Sequence, residues 1–234
     1  MTEMIDLRIQ EKLYKNKKSS LSLLNDFRLE INHGERVAIV GKSGAGKTTL
    51  LNILGLLDRD YIGSYKLLGS NINSMNLNQL AEWRNRKIGF VLQESALIDT
   101  LTIEENIKLP LLYAKAGRKC EPEDFESVVD GVDIAHILDK KPLECSGGEK
   151  SRAVFARAII MRPQLILCDE PTASLDGENK ERILALLYKM NKEYGATIIT
   201  VTHDREVANC HGRVIYLDRK NKGIRSKGIY CLWQ

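Results

Sequence analysis

The five cysteines, Cys120, Cys145, Cys168, Cys210 and Cys231, contain no Cys-x-x-Cys pair. An odd and scattered set argues against a disulfide framework and a zinc site, and it suits a reducing cytoplasm. No apolar run approaches the roughly 20 residues needed to span a bilayer. The opening Met1-Thr2-Glu3-Met4-Ile5-Asp6 carries acids and no long apolar core, so no signal peptide is expected. The net charge of +4 is too slight to argue for nucleic acid as a partner. Repeats and low-complexity tracts are absent. What remains is ordinary for a globular chain, with 43% hydrophobic and 28% charged residues. A length of 234 residues allows one sizeable core, or one core with a small appendage.

Against this plain background one stretch stands out, Gly41-Lys42-Ser43-Gly44-Ala45-Gly46-Lys47-Thr48. It fits the phosphate-binding pattern of glycine, four residues, glycine, lysine, and serine or threonine. Arg36-Val37-Ala38-Ile39-Val40 before it reads as a buried strand. Leu50, Ile53, Leu54 and Leu57 after it recur at helical spacing. Glycines let backbone N–H groups curl into a concave anion nest, and the following helix points its positive end at the same place. Lys47 is expected to reach the β- and γ-phosphates of a nucleotide, and the Thr48 hydroxyl to bind Mg²⁺.

The rest of the chain alternates strands and helices, which predicts an α/β protein with a mainly parallel sheet. Ile5 to Ile9 alternates as a half-exposed strand. Tyr14 follows in a basic turn with Lys12, Lys15, Lys17 and Lys18. Leu23 to Ile31 reads as a second strand, Ser64 to Gly69 as a strand and turn, and Leu77 to Arg86 as a polar helix. Lys87 to Gln93 is β-rich. From Glu94 to Glu144 the strand signal disappears, and Ile103 to Tyr113 and Pro122 to Leu138 look helical, as expected of a helical insert. Ser146-Gly147-Gly148 opens a helix to about Ile160, ended by Arg162-Pro163. Leu165 to Asp169 is a buried strand. Asn179 to Tyr194 is a helix with Ile183, Leu186, Leu187 and Met190 on one face. Thr197 to Thr202 and Arg213 to Leu217 are the last clear strands.

Asp169 and Glu170 stand at the C-terminal end of an apolar strand, the edge where open α/β sheets bind ligands. Asp169 is placed to hold Mg²⁺ and Glu170 to take a proton from an attacking water or orient it. Taken alone, the pair also fits a strand ending in solvated acids.

With these residues the chain resembles the ATP-binding subunit of an ABC transporter. Cys145-Ser146-Gly147-Gly148-Glu149 and the helix after it resemble the family's signature motif, with Cys145 for the usual leucine and Glu149 for the usual glutamine. A serine-glycine-glycine turn at a helix N-terminus is a second anion site, and the same Ser146 also suits an ordinary N-cap. The resemblance implies further roles. Gln93 matches the glutamine loop that binds Mg²⁺ and meets the membrane partner. Ser174-Leu175-Asp176 matches the loop that crosses to the opposite subunit. His203 matches the switch histidine at the γ-phosphate, and Tyr14 the aromatic that stacks on adenine.

The implied fold is a P-loop ABC ATPase, with a mainly parallel core sheet, a small antiparallel part and a helical subdomain at about 94–160, all in one domain over 1–234. The implied catalytic residues are Lys47, Glu170 and His203. Tyr14, Gly41, Lys42, Ser43, Gly44, Ala45, Gly46, Lys47, Thr48, Thr49, Gln93, Ser146, Gly147, Gly148 and Asp176 are the implied nucleotide contacts, and Thr48, Gln93 and Asp169 the Mg²⁺ ligands. The implied partners are an integral membrane permease and a second ATPase subunit, as a homodimer sandwiching ATP or a heterodimer. The implied location is the cytoplasmic face of the membrane.

Ile88 to Gln93, Leu97 to Ile107 and Leu109-Pro110-Leu111 resemble the lipoprotein-release, macrolide-export and bacitracin-type peptide-resistance group. That implies export or extraction of a peptide, lipid-linked or drug-like substrate. A non-transport ABC ATPase of repair, chromosome or translation type is the alternative. A kinase on the same loop would not need the signature, switch histidine and crossing loop together.

Overall fold

The computed structural model describes residues 3–16, 19–92, 96–114, 122–173, 175–217 and 225–227. It divides into two compact units, Met1–Leu80 with Ile199–Gln234, and Ala81–Ile198.

The first unit begins with two 14-residue strands, β1 (Glu3–Asn16) and β2 (Ser19–Asn32), paired antiparallel. Alternation decides which face is buried. Ile5, Leu7 and Ile9 of β1 and Leu29 and Ile31 of β2 point inward, while Arg8, Arg28 and Glu30 face water. β4 (Ile62–Leu67) joins the other edge of β1 with Leu67 opposite Ile5 and Tyr65 opposite Leu7. The four-stranded antiparallel order is β2-β1-β4-β5, with β5 at Ser70–Asn71. The buried Tyr65 hydroxyl donates to the Leu54 carbonyl at 3.0 Å. A Cβ on Gly63 would lie 2.0 Å from the Arg8 carbonyl oxygen, so the β1–β4 approach requires glycine there.

The long hairpin corrects one expectation. Tyr14 and Lys12 lie in strand β1, not in a turn, and Tyr14 is paired with Leu21. Lys12 is buried, and its ammonium lies 2.8 Å from Asp58 and donates to the Asp60 carbonyl at 2.6 Å. A buried ammonium persists because these acceptors replace its water.

The same unit holds β3 (Arg36–Gly41), α1 (Lys47–Leu54), α7 (Arg205–Asn209) and β9 (Arg213–Leu217). β3 and β9 run parallel, with Ala38 opposite Val214 and Gly41 opposite Leu217. β10 (Arg225–Lys227) pairs antiparallel with β9. Leu50, Leu51, Ile53 and Leu54 of α1 are buried, but Leu57 is 56% exposed. The helix ends before Leu57, capped by Gly55, with Leu56 at φ 61°.

In the second unit β6 (Ile88–Val91) and β7 (Leu165–Asp169) pair in parallel. The helices are α3 (Ile103–Leu112), α4 (Pro122–Gly131), α5 (Gly147–Ile159) and α6 (Gly177–Tyr194). Their core includes Ile103, Ile107, Phe155, Ile183 and Leu187. Leu186, expected on the buried face of α6, is partly buried against that core. The single helix expected from Pro122 to Leu138 is broken. α4 stops at Gly131, Asp133 takes φ 55°, and a 3₁₀ turn at Ala135–Ile137 buries Ile137. α2 (Leu77–Lys87) and β8 (Thr197–Val201) each carry the chain from one unit into the other.

Asn106 is a fully buried polar residue of α3. Its amide nitrogen donates to the carbonyls of Ile98, Leu101 and Thr102, and its oxygen accepts from the Ile98 N–H at 2.7 Å. One side chain thus holds the loop before α3.

His211 is also buried, with Nδ1 on the Val207 carbonyl at 2.9 Å and Nε2 on the Thr200 hydroxyl at 2.8 Å. Burial is the largest influence on its pKa, and Arg36 adds to it against the Val207 contact, so the value falls from 6.5 to about 4. The unfolded chain therefore takes up a proton near pH 6.5 that the folded chain refuses until about pH 4. Stability from this site is complete above pH 6.5 and lost as pH falls towards 4, a change on the order of 3 kcal/mol. Denaturant midpoints measured from pH 7 to 4 should fall, and fall less steeply in His211→Gln.

Candidate functional site: a phosphate cradle, an acidic strand end and a capped glycine turn

In the first unit β3 delivers the chain to Gly41, where β9 lies so close that a Cβ would meet the Leu217 carbonyl oxygen at 2.5 Å. Glycine is therefore required by the backbone on the neighbouring strand. The loop then tightens, with the Ala45 N–H on the Lys42 carbonyl at 3.1 Å. Gly44 and Gly46 adopt φ of 71° and 95°, a left-handed geometry that side chains resist. Lys42, Ser43 and Gly44 are exposed, while Ala45 and Gly46 are buried. The Lys47 ammonium donates to the carbonyls of Gly41 at 2.8 Å and Lys42 at 3.2 Å, so it spans the loop.

α1 starts at Gly46 with no side-chain cap and no acid in its first turn. Its leading N–H groups and positive end thus face a glycine cradle without a competing carboxylate. That is the donor set a polyphosphate needs. Thr48 is exposed and Thr49 half-buried in the same turn.

His203 follows β8. The N–H of the adjacent Thr202 donates to the Ile39 carbonyl at 3.1 Å, which ties this segment to the strand that feeds the loop. Gly41, Lys42, His203, Arg205, Asn209 and Tyr216 line one open cleft of about 760 Å³. The structure thus brings His203 and the phosphate loop to a common cleft.

In the second unit β7 is buried through Cys168, and half-buried Asp169 and Glu170 emerge at its C-terminal end. Glu170 has φ 47°, rare for a residue with a side chain and common where function fixes the backbone. Its carbonyl accepts from the Ala173 N–H at 3.1 Å, closing a turn. The Thr48 hydroxyl of the first unit and, separately, the Asp169 carboxylate of the second are each oxygen donors of the type that suits Mg²⁺.

Ser146, Gly147 and Gly148 form the N-terminus of α5. The Ser146 hydroxyl accepts from the Glu149 N–H at 3.3 Å, and the Ser146 N–H donates to the Glu149 carboxylate at 2.6 Å. This capping box holds the Glu149 carboxyl below its ordinary pKa, mainly through the Ser146 N–H, with His136 at 3.3 Å contributing. The acid at 149 therefore completes the turn. Cys145 is buried, with its sulfur on the Lys141 carbonyl at 3.4 Å, and burial raises its pKa, so it serves as a small apolar filler. Asp176 caps α6 by accepting from the Asn179 N–H at 2.9 Å, and its carboxyl is held low by Asn179.

Gln93 and Ser174 lie outside the described residues, as does the Tyr14 side chain. Sequence reasoning passed over Asn179 and Arg152. The Asn179 side chain packs against Gly148, where a Cβ would come within 2.7 Å of it, and it accepts from Arg152 at 2.9 Å. An Asp-x-x-Asn spacing at a helix start was the available signal for Asn179. For Arg152 the signal was a charge beside the buried run Ala153 to Ala156.

A strand, an uncapped glycine cradle and a lysine folded across it define a P-loop nucleotide-binding protein. The chain belongs to the ABC transporter family, whose model matches residues 24–173. It is 42% identical over 225 residues to the ABC transporter ATP-binding protein YknY of Bacillus subtilis (strain 168), covering 96% of this chain and 97% of that protein. It is also 42% identical to the bacitracin export ATP-binding protein BceA of Halalkalibacterium halodurans, covering 88% and 81% of the two chains. Identity is 41% to the lipoprotein-releasing system ATP-binding protein LolD of Porphyromonas gingivalis, over 85% and 90%. Among solved structures it is similar to the dimeric ATP-binding cassette MJ0796 in a post-hydrolysis state with ADP and Pi. The TM-score is 0.88 at 35% identity, covering 97% of this chain and 99% of that one. The fold is accordingly the α/β ABC ATPase fold, and the chain is an ATPase that binds ATP. No helix among the described residues is long and apolar enough to cross a membrane.

The capping box yields a graded expectation. Glu149→Gln retains an acceptor for the Ser146 N–H and should melt within about 0.5 kcal/mol of the parent. Glu149→Ala removes the acceptor and should cost about 1 kcal/mol. Thermal melts of both variants check this.

Proposed function

We propose that the chain is one ATP-binding cassette over 1–234, with its helical part at about 94–160, and that it powers a separate membrane permease from the cytoplasmic face. The substrate class is a peptide, lipid-linked or drug-like molecule exported or extracted from the membrane. Relatives named for bacitracin export and lipoprotein release support this class. The observation that carries the reading is the α1 N-terminus, left without a cap or an acid beside left-handed Gly44 and Gly46.

In this reading residues 41–49 wrap the phosphates, Lys47 neutralises the β- and γ-oxygens, and Tyr14 stacks on adenine. Thr48, Asp169 and Gln93 would hold Mg²⁺, which would supply charge neutralisation at the phosphates. Glu170 aligns the attacking water and accepts a proton from it. The water oxygen forms a bond to the γ-phosphorus, the bond to the bridging oxygen breaks, and ADP leaves with that oxygen. His203 steadies the γ-phosphate. Ser146, Gly147 and Gly148 of one copy cover the nucleotide of a second copy, with Asp176 at the crossing loop. Homodimerisation is supported by the dimeric cassette of similar structure. By the family resemblance Leu97, Ile98 and Leu101 are either permease contacts or simply core; Ile98 is 46% exposed while Leu97 packs on the core, so Ile98 is the better contact.

Lys47→Ala should weaken ATP binding about ten-fold or more, read with a fluorescent ATP analogue. Unchanged affinity would overturn the assignment of the cradle. Glu170→Gln should bind ATP, hydrolyse it about 10²-fold more slowly and accumulate as a dimer in Mg-ATP, measured by light scattering. Adding Ser146→Arg to it should restore the monomer.

A further inference from the structure

We propose that Asn179 is a positioning residue that locks the signature turn to the crossing loop, so that the two move as one during ATP hydrolysis. The inference rests on reading residues 146–148 and 174–176 as parts of the nucleotide sandwich.

All the contacts lie within the second unit. Asn179 uses both ends of its amide. Its oxygen accepts from the Arg152 guanidinium at 2.9 Å. Its nitrogen donates to both Asp176 carboxylate oxygens at 3.0 and 3.1 Å. A simple helix cap needs only the Asn179 backbone N–H on Asp176, which is also present at 2.9 Å. The side-chain bridge therefore exceeds what starting α6 requires.

Two further observations point the same way. The amide lies against Gly148, where a Cβ would sit 2.7 to 2.8 Å from its three terminal atoms. The absence of a side chain at Gly148 thus leaves room for the Asn179 amide, which a Cβ there would displace. Arg152 is buried, and its Nε is without a hydrogen-bond partner among the described residues. Buried donors are nearly always paired. From this buried position the guanidinium donates to the Asn179 amide oxygen. The path from α5 to the crossing loop is continuous, running from Arg152 on α5 through the Asn179 amide to Asp176. It joins the helix that opens with the signature to the loop ending at Asp176.

The substitutions separate coupling from capping. Asn179→Ala removes both arms. Asn179→Asp keeps an acceptor for Arg152 and a favourable anion in the first turn of α6, but it replaces the two donors to Asp176 with a like charge. In the full-length chain both variants should lower kcat for Mg-ATP about ten-fold or more while KM stays within about two-fold. Asn179→Asp should melt within about 3 °C of the parent, which a merely structural role with the same loss of rate would not allow. Arg152→Met combined with Asn179→Ala should be no slower than the slower single variant, because both cut one path. The proposal is overturned if kcat of Asn179→Asp stays within two-fold of the parent, if the Arg152 and Asn179 losses are fully additive, or if the lost rate is matched by unfolding at the assay temperature. Ser146→Arg, assayed alongside, distinguishes the two levels. If it too hydrolyses ATP normally, the sandwich reading itself fails. If it is inactive while the Asn179 variants are active, only the coupling role is wrong.

Discussion

The geometry of backbone N–H groups around a polyphosphate constrains this molecule more than any other interaction. Those donors converge only if the chain curls tightly, and the curl needs left-handed backbone at Gly44 and Gly46. The loop is held from both sides. Gly41 lies too close to the Leu217 carbonyl of β9 for any side chain, and α1 is anchored by four buried aliphatic residues. Such anchoring keeps the helix end, which has no side-chain cap, fixed in place. Lys47 then bridges the loop it will serve, accepted by the loop's own carbonyls.

The other major helices show the opposite treatment of their N-termini. Thr102 with Glu105, Ser146 with Glu149, and Asp176 with Asn179 each satisfy the first N–H groups of a helix by a local side chain. α1 differs from α3, α5, α6 and α7 in having no side-chain cap at its N-terminus, where a ligand would supply the acceptor. α5 is intermediate in character. Its cap is complete, and it carries an ionised Glu149, so the positive charge of this helix end is already partly compensated. The glutamate at this position thus closes the cap of the turn and adds a negative charge to it.

Burial of polar groups organises the remainder. Asn106 holds the loop ahead of α3 through four hydrogen bonds, Lys12 is sealed by Asp58 and the Asp60 carbonyl, and His211 is kept neutral between Val207 and Thr200. Each is stable because every main acceptor or donor is matched, and each would be costly if its partner were lost.

The amino-acid sequence by itself determined the phosphate loop, the buried strands β3 and β7, the acids that end β7, and the serine-glycine-glycine turn. These are local patterns, in which glycine freedom, β-branched runs and helix periodicity act over a few residues. It also determined the family, because several such patterns occur in one order. Only the tertiary structure decided that Tyr14 lies in a long hairpin strand, that the helix after Pro122 stops at Gly131, and that Leu57 faces water. Strand length depends on a partner that propensity cannot see, and a helix end depends on what Ile134 and Ile137 can bury. The Arg152–Asn179–Asp176 chain was likewise invisible, since Arg152 and Asn179 are 27 residues apart and meet only when α5 packs on α6. Likewise, whether Glu149 disrupts or completes its turn depended on the carboxylate reaching back to the Ser146 N–H, a matter of rotamer and helix geometry that residue identity leaves open.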